Sequence, residues 1–348
     1  IEGFCSLGAE IIALRRLVPH VGSAIVVTAP TIGLFLLALA LGYASGARVS
    51  TGFGGVVARN FLVSAALAGV GLARITVEGL FGLLQPTVLA YLVFIGGVLC
   101  PLAWLLGQTV PVLTNLMKHN RTGEASGYAL YWSTLGSFLG SVSLSLVVMQ
   151  WLGVSVAVLV CACLLALGSL LLHSRSRTHL AAAIGVVLLG LVVNLQPARD
   201  VVDTAYADYT VRPLELPGQT GTRGFFVNNS LASLMDESTP PRYARYLQHL
   251  RHILLDELAF TGRDVLVLGA GGFNLSHQEP LNRYTYVDID PNIRAIAEQR
   301  FLHEPVRGRF VADDARRFVR GTAERFDAVV VDVYSSHNAI PGHLVTQE

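Results

Sequence analysis

The sequence predicts a multi-span α-helical membrane domain, a small β-hairpin region, and an α/β doubly wound domain. Three observations carry this. Charge is divided sharply along the chain: residues 1–195 hold nine of the 25 Lys and Arg, four of the 24 acids and no Asp. With 52% hydrophobic residues, 14% charged residues and a mean hydropathy of +0.54, the chain is far more apolar than an ordinary globular one. Finally, from Asp264 onward short apolar runs alternate with helical patterns, the signature of βαβ units.

Residues 1–195 contain apolar segments long enough to cross ~30 Å of hydrocarbon. Spans are expected near 3–19, 22–45, 54–73, 86–107, 126–149, 153–172 and 179–195, about six or seven in all. The stretch 79–117 carries Pro101 and Pro111 and allows a kinked helix. Gly136 and Gly140, one helical turn apart, permit close approach of helix backbones in lipid. Glu10 is an acid in the first span, with Arg15 and Arg16 one to one and a half turns on. An intramembrane carboxylate is paired or functional, so a Glu10–Arg pair or a substrate or proton role is expected.

Residues 196–240 read as the hairpin region. The stretches "YADYTVRPLEL" and "TRGFFVNNSLASLM" are strand-like and flank the turn "PGQTG". Residues 241–348 form the α/β domain, opening on an amphipathic helix with Leu247, Leu250, Leu254 and Leu258 at three- and four-residue steps. Then follow strand "DVLVLG", a short helix opening in "FNLSHQEPL", and strand "YTYVDID". A helix with Pro291 at its first position comes next, then strand "GRFVA", helix "DARRFVRG" and strand "FDAVVVDVY". The chain starts at Ile1 inside an apolar segment and stops at Glu348 just after the fourth strand, so an incomplete copy of a longer protein is expected.

A net charge of +1 without a basic stripe gives no nucleic-acid partner. Cys5, Cys100, Cys161 and Cys163 all lie in apolar stretches and read as buried thiols, not as a disulfide framework or a zinc site. No His, Cys or acid cluster has metal-ligand spacing, and no metal is expected.

Ligands of doubly wound sheets bind beyond the carboxyl ends of the strands. Four features sit at those ends. Gly269, Gly271 and Gly272 form a partial glycine fingerprint in which Asn274 takes the last position. Asp288, 19 residues after Gly269, ends the second strand, where an acid accepts bonds from ribose hydroxyls. Asp290, directly before Pro291, suits a helix cap. Asp313 or Asp314 follows the third strand, one to accept an adenine amine and one to cap the helix. Asp332 ends the run Val329–Val331, and a carboxylate there must be solvated, paired or used. Together the four point to an adenosine-type ligand.

Residues ~200–348 resemble the spermidine synthase (polyamine aminopropyltransferase) family, and the whole chain resembles its membrane-fused branch. The likeness rests on "GFCSLGAEIIALRRLVPHVGS", "LALALGYASGARV", "VDIDP", "DDAR", "VVVD" and "IPGHLVTQE". It implies a Rossmann-like, methyltransferase-type fold. It implies Asp288 as ribose acid, Asp314 as adenine acid and Asp332 as catalytic acid, with Tyr243 and Ser335 at substrate-binding positions. It further implies decarboxylated S-adenosylmethionine, or S-adenosylmethionine itself, as co-substrate. The partners are then a small-molecule amine acceptor and the lipid bilayer; a homodimer is left open. The sequence departs from the family at four places. Gly272 stands where the family has an Asp that holds the amino end of the decarboxylated nucleoside. Ser335 replaces a second Asp that holds the polyamine. Tyr243-Ala244-Arg245 stands for Tyr-His-Glu, and Asn228-Asn229 stands for Asp-Gly.

The expected activity is aminopropyl transfer to an amine, with Asp332 as base. His337 and His343 are further base candidates in the following loop. The alternatives are an S-adenosylmethionine-dependent methyltransferase, an amine or lipid transporter with a nucleoside-binding regulatory domain, and a non-catalytic nucleoside-binding module. An inner- or plasma-membrane location is expected. Arg48, Arg59, Lys118, Arg121, Arg175 and Arg177 mark alternate loops as cytoplasmic, which puts a domain after 179–195 outside. The cytoplasmic origin of the nucleoside argues the reverse, and a cytoplasmic soluble domain is the expectation adopted.

Overall fold

A computed structural model describes residues 1–22, 24–116, 122–173, 177–196, 201–215 and 221–333. Its contacts divide into two compact units, Ile1–Pro197 and Ala198–Glu348. The expected hairpin region and α/β domain thus fall in one unit.

The first unit is helical. Among the described residues, six helices are long and apolar enough to cross a membrane: Ile25–Gly46, Phe53–Gly71, Thr87–Leu116, Gly123–Leu152, Val154–Leu172 and Arg177–Asn194. Leu36, Leu41, Leu92, Leu146, Leu171 and Leu188 stand exposed on these helices. Aliphatic surface on this scale belongs against lipid, not water. The segment expected to span at 3–19 is a helix, Glu2–Val21, but it is not one of the six. Glu2, Glu10, Arg15 and Arg16 make it too charged. It is nonetheless deeply enclosed, with Cys5, Ala9, Ile12, Ala13 and Leu17 all buried. Gly136 and Gly140 lie against its first turn: a Cβ on Gly140 would lie 2.8 Å from Phe4 Cα. The expected Glu10–Arg pair does not form. Arg16 Nη2 instead donates to Ser155 Oγ at 2.9 Å, and the described contacts give Glu10 no ion pair.

The Thr87–Leu116 helix carries both Pro101 and Pro111, as the kinked-helix reading expected. It widens by one residue per turn over Ile95–Leu99, just before Pro101, and breaks at Gln108. A short helix, Arg74–Leu83, precedes it and has no counterpart among the expected spans.

The second unit opens with a four-stranded antiparallel meander, β1 (Val201–Asp203), β2 (Asp208–Pro213), β3 (Arg223–Val227) and β4 (Ser230–Met235), in that spatial order. The stretch "TRGFFVNNSLASLM" is therefore two strands. Asn228 and Asn229 both take positive φ, 49° and 62°, and reverse the chain as a two-residue hairpin turn requires. Most of the "PGQTG" turn lies outside the described residues. A helix, Arg245–Arg251, runs on through a wider turn, His252–Glu257.

The parallel sheet is β5 (Asp264–Leu268), β6 (Arg283–Asp288), β7 (Arg309–Ala312) and β8 (Ala328–Val331), in the order β7-β6-β5-β8. Strand order reverses between β5 and β8, which makes their carboxyl ends the switch point of the sheet. One core joins both sheets: Tyr209 and Phe225 of the meander pack with Phe273, Tyr286, Ile293 and Phe301.

The helix opening expected in "FNLSHQEPL" is absent; residues 269–282 run from β5 to β6 as successive turns. Phe273 and Gln278 take positive φ, which a right-handed helix excludes. The carbonyls of that path are taken by Arg251, whose Nη1 donates to Asn274 O at 3.2 Å, Leu275 O at 2.8 Å and His277 O at 3.0 Å. The loop is thus held by a side chain from the preceding helix in place of a helical ladder.

Candidate functional site

A cavity of about 420 Å³ runs between the helical segment 245–257 and the face of β5 and β8, reaching their carboxyl ends. Its size falls within the range of small-molecule sites. Its polar lining is Ser233, Tyr246, His249, Asn274 and Asp332, beside the backbone of Gly269 and Ala270. Leu247, Leu250, Ile253 and Val329 form the apolar wall. A larger groove of about 760 Å³ lies at the opposite, amino ends of the strands. Several of the charges lining it are spent on one another, as in Arg283–Asp264 at 2.6 Å and Arg309–Glu324 at 2.7 Å. Ligand sites of such sheets lie at the carboxyl ends, so the smaller cavity is the candidate.

Asp332 is brought there by the pairing of β8 with β5, and its backbone N–H donates to Leu268 O at 2.8 Å. Its carboxylate accepts from the Tyr246 hydroxyl at 3.4 Å. Burial pushes its pKa above the usual carboxylate range, and the Tyr246 bond opposes this only in part. Gly269 makes the approach of these strands possible. It takes φ +88°, and a Cβ there would overlap the carbonyl oxygen of Asp332 and lie 2.8 Å from its carbonyl carbon. Tyr246 is a cavity residue that the sequence reading missed. The available signal was its place one residue before Leu247, on the border of the helix's apolar stripe.

Asp288 flanks the cavity. Its Oδ2 accepts from Ala270 N–H at 2.9 Å, and its Oδ1 accepts from Asp290 N–H at 3.0 Å. It therefore ties the glycine loop to the end of β6. Burial raises its pKa against the pull of these backbone bonds. The carboxylate keeps acceptor capacity for a further donor. The helix expected to open at Pro291 with Asp290 as its cap begins instead at Ile293, with Asn292 at the N-cap position; Asp290 closes the turn before it, Oδ1 accepting from Asn292 N–H at 2.9 Å and Oδ2 from the Thr204 hydroxyl at 2.6 Å.

Three expected site residues stand elsewhere. Asp314 is the cap of the helix Ala315–Gly321, its Oδ1 accepting from Arg317 N–H at 2.9 Å, and is not on the cavity wall. Its neighbour Asp313 pairs with the Arg317 guanidinium and accepts from Asp314 N–H at 2.7 Å. Both acids after β7 thus serve the start of that helix. Tyr243 is buried beneath the helix, with its hydroxyl bonded to His277 Nδ1 at 2.7 Å and the Arg251 guanidinium over its ring. His277 Nε2 in turn meets Glu304 at 3.2 Å. This chain pins the 269–282 loop and does not line the cavity.

Gly272, where the resemblance leads one to look for an acid, has no space for one. A Cβ there would lie 2.5 Å from Phe301 Cε1, 2.6 Å from Asn274 Oδ1 and 2.7 Å from Ser233 Cβ. Its N–H donates to Ser233 Oγ at 2.8 Å. Gly271 takes φ +50°, its Cβ position 3.2 Å from Ser233 Oγ. Ser335, His337 and His343 lie outside the described residues. Among the described residues, no group of three or more His, Cys, Asp or Glu side chains is placed to hold a metal ion.

Comparison with protein-family models, with curated proteins and with solved structures finds no match in any of the three.

Proposed function

We propose that the Ala198–Glu348 unit binds an S-adenosylmethionine-type nucleoside and transfers an aminopropyl group from it to an amine. The supporting observation is the meeting of the glycine loop, Tyr246 and Asp332 at the switch point of a parallel sheet, around a cavity of about 420 Å³. In this reading Asp288 holds the ribose and the turns at Gly269 and Ala270 admit the sulfonium. The amine lone pair attacks the carbon joined to sulfur, and the carbon–sulfur bond breaks with its electrons on sulfur. Methylthioadenosine leaves, and the proton shed by the new ammonium passes to Asp332. A carboxylate held above its ordinary pKa accepts that proton more readily near neutrality. The membrane-bound chain is read as carrying this unit on the cytoplasmic side, where such nucleosides are made.

The crowded surroundings of Gly272 favour one second reading. With no carboxylate for the cation of the decarboxylated nucleoside, S-adenosylmethionine itself becomes a candidate and methyl transfer the reaction. The test is calorimetric titration of the purified full chain with S-adenosylmethionine, its decarboxylated form and methylthioadenosine. Mass spectrometry of an amine panel then distinguishes aminopropyl from methyl products. Binding without any product would make the unit a nucleoside-binding module; no binding of the three would overturn the proposal.

A further inference from the structure

The Ile1–Pro197 unit holds a polar centre that the proposed transfer does not use. It lies where the Thr87–Leu116 helix breaks at Gln108. Pro111 has no amide hydrogen, so the Gly107 carbonyl loses its helical donor. The Phe53–Gly71 helix faces this break. Asn60 Nδ2 donates to Gln108 Oε1 at 3.0 Å and to Leu105 O at 3.4 Å. Two acceptors about one nitrogen fix the orientation of the amide. Asn60 Oδ1 is thereby left without a hydrogen-bond partner among the described residues, as are Ser64 Oγ and Thr109 Oγ1. Ser64 is one turn from Asn60 on the same face, and Thr109 follows Gln108 directly. Asn60, Ser64, Gln108 and Thr109 are 1%, 0%, 6% and 4% exposed.

Serine and threonine in apolar helices ordinarily satisfy themselves on the carbonyl one turn back. Other residues of this unit do so: Thr31 donates to Val27 O at 2.8 Å and Thr114 to Val110 O at 3.0 Å. Ser64 and Thr109 do not. The break is also braced from its other side. A Cβ at Gly46 would lie 2.6 Å from Gln108 O, and one at Gly107 would lie 2.6 Å from Leu39 O. Unpaired polar atoms at membrane depth cost free energy unless something satisfies them.

We propose that Asn60, Ser64, Gln108 and Thr109 form a binding site for a small monovalent cation: a sodium or potassium ion, or a primary ammonium head. No described hydrogen bond or ion pair joins these four to a charged side chain, so the site offers neutral oxygens alone. Divalent cations call for carboxylates and are not expected. Neutral oxygens at an interrupted membrane helix are chemically suited to a singly charged ion.

The test uses the full chain in lipid nanodiscs. Thermal unfolding is followed at constant ionic strength in sodium, potassium, methylammonium and choline chloride, choline being too large for a closed site. At least one of the first three is expected to raise the unfolding temperature above the choline value, and to bind saturably at equilibrium; which one does so identifies the ion. Ser64→Ala and Thr109→Val are expected to weaken that binding about tenfold or more. Thr114→Val, whose hydroxyl satisfies itself, is expected to leave it unchanged. Equal unfolding temperatures in all four salts overturn the proposal, and this wild-type series decides even where a variant fails to fold. Cation-specific stabilisation that survives both Ser64→Ala and Thr109→Val also overturns it, because the ion then binds elsewhere.

Discussion

Replacing Gly272 by Asp is expected to break the glycine loop, not to restore a cation site. The new Cβ would sit 2.5 Å from Phe301 Cε1 and 2.7 Å from Ser233 Cβ. Phe301 is fully buried, and Ser233 is anchored by the Gly272 N–H, so neither has room to retreat. Overpacking of this kind costs about 1–3 kcal/mol. The carboxylate would also enter beside Asn274 Oδ1, an acceptor facing an acceptor, which adds roughly 1–3 kcal/mol for an unsatisfied polar group. The total is about 2–6 kcal/mol; at roughly 2–4 °C per kcal/mol for a unit of this size, the loss in unfolding temperature is easily measured. Gly272→Ala isolates the steric part and is expected to cost about 1–3 kcal/mol. Scanning calorimetry of the full chain reads the stability, and titration reads the preference between decarboxylated and intact S-adenosylmethionine. A Gly272→Asp variant as stable as the parent, with a new preference for the decarboxylated form, would refute this account of the loop.

Asp288→Ala is expected to weaken any adenosine ligand by roughly 2–4 kcal/mol through lost ribose bonds; unchanged affinity in a folded variant rejects that role. Arg251→Met strips the donor from three carbonyls of the 269–282 loop and is expected to cost at least about 3 kcal/mol, read by thermal unfolding. Asp332→Asn is expected to lower turnover by ~10²–10⁴ while leaving nucleoside affinity nearly intact; normal turnover with lost binding would make it a ligand-holding residue. The pH profile follows from the same group. A base must be ionised, so activity falls as pH drops through the raised pKa of Asp332, and the acidic limb of kcat/KM lies above the ordinary carboxylate range. Stability has the opposite sign. A pKa raised in the folded state favours folding fully below the unfolded pKa, and that contribution is lost as pH rises through the folded value. Asp332→Asn is therefore expected to stabilise the unit at neutral pH.

Long-period features were the legible ones. Six of the apolar segments became helices of spanning length, because hydrocarbon-scale apolar runs have few other structures to adopt. The four parallel strands were equally visible as apolar runs between helical patterns, although β7 and β8 are less buried than such runs suggest. What hydropathy could not resolve was the Glu2–Val21 helix, where Glu2 and Arg16 find serine partners, Ser133 and Ser155, inside the bundle. Nor could local sequence show that Arg251 would replace the ladder after β5, since that bond joins residues more than twenty positions apart. Asp288 and Asp332 fell beside or on the cavity because strand ends follow from the strands themselves. Asp313 and Asp314 were ambiguous as a pair, and the helix start claimed both. Tyr243 looked like a site residue by its motif, while Tyr246, three residues on, has the exposed side of the helix and the reach to Asp332.

The acids at the carboxyl end of the sheet divide by what holds them. Asp290 is fully buried and accepts from Thr204 and Asn292. Asp314 caps a helix, and Asp313 holds Arg317. Asp288 accepts two backbone amides that fix the glycine loop. Each of these carboxylates does something for the fold that a neutral residue would do less well. Asp332 differs. Among the described residues its side chain accepts one hydrogen bond, from Tyr246 at 3.4 Å, near the limit of such a bond. It is largely withdrawn from water, and burial disfavours its charge. Among the described residues, an asparagine would accept the same bond without that cost. In the proposed transfer that carboxylate takes the proton of the incoming amine. The cavity it lines adjoins the switch point of the sheet, which is why Asp332→Asn is the variant that separates a role in the fold from a role in the proposed transfer.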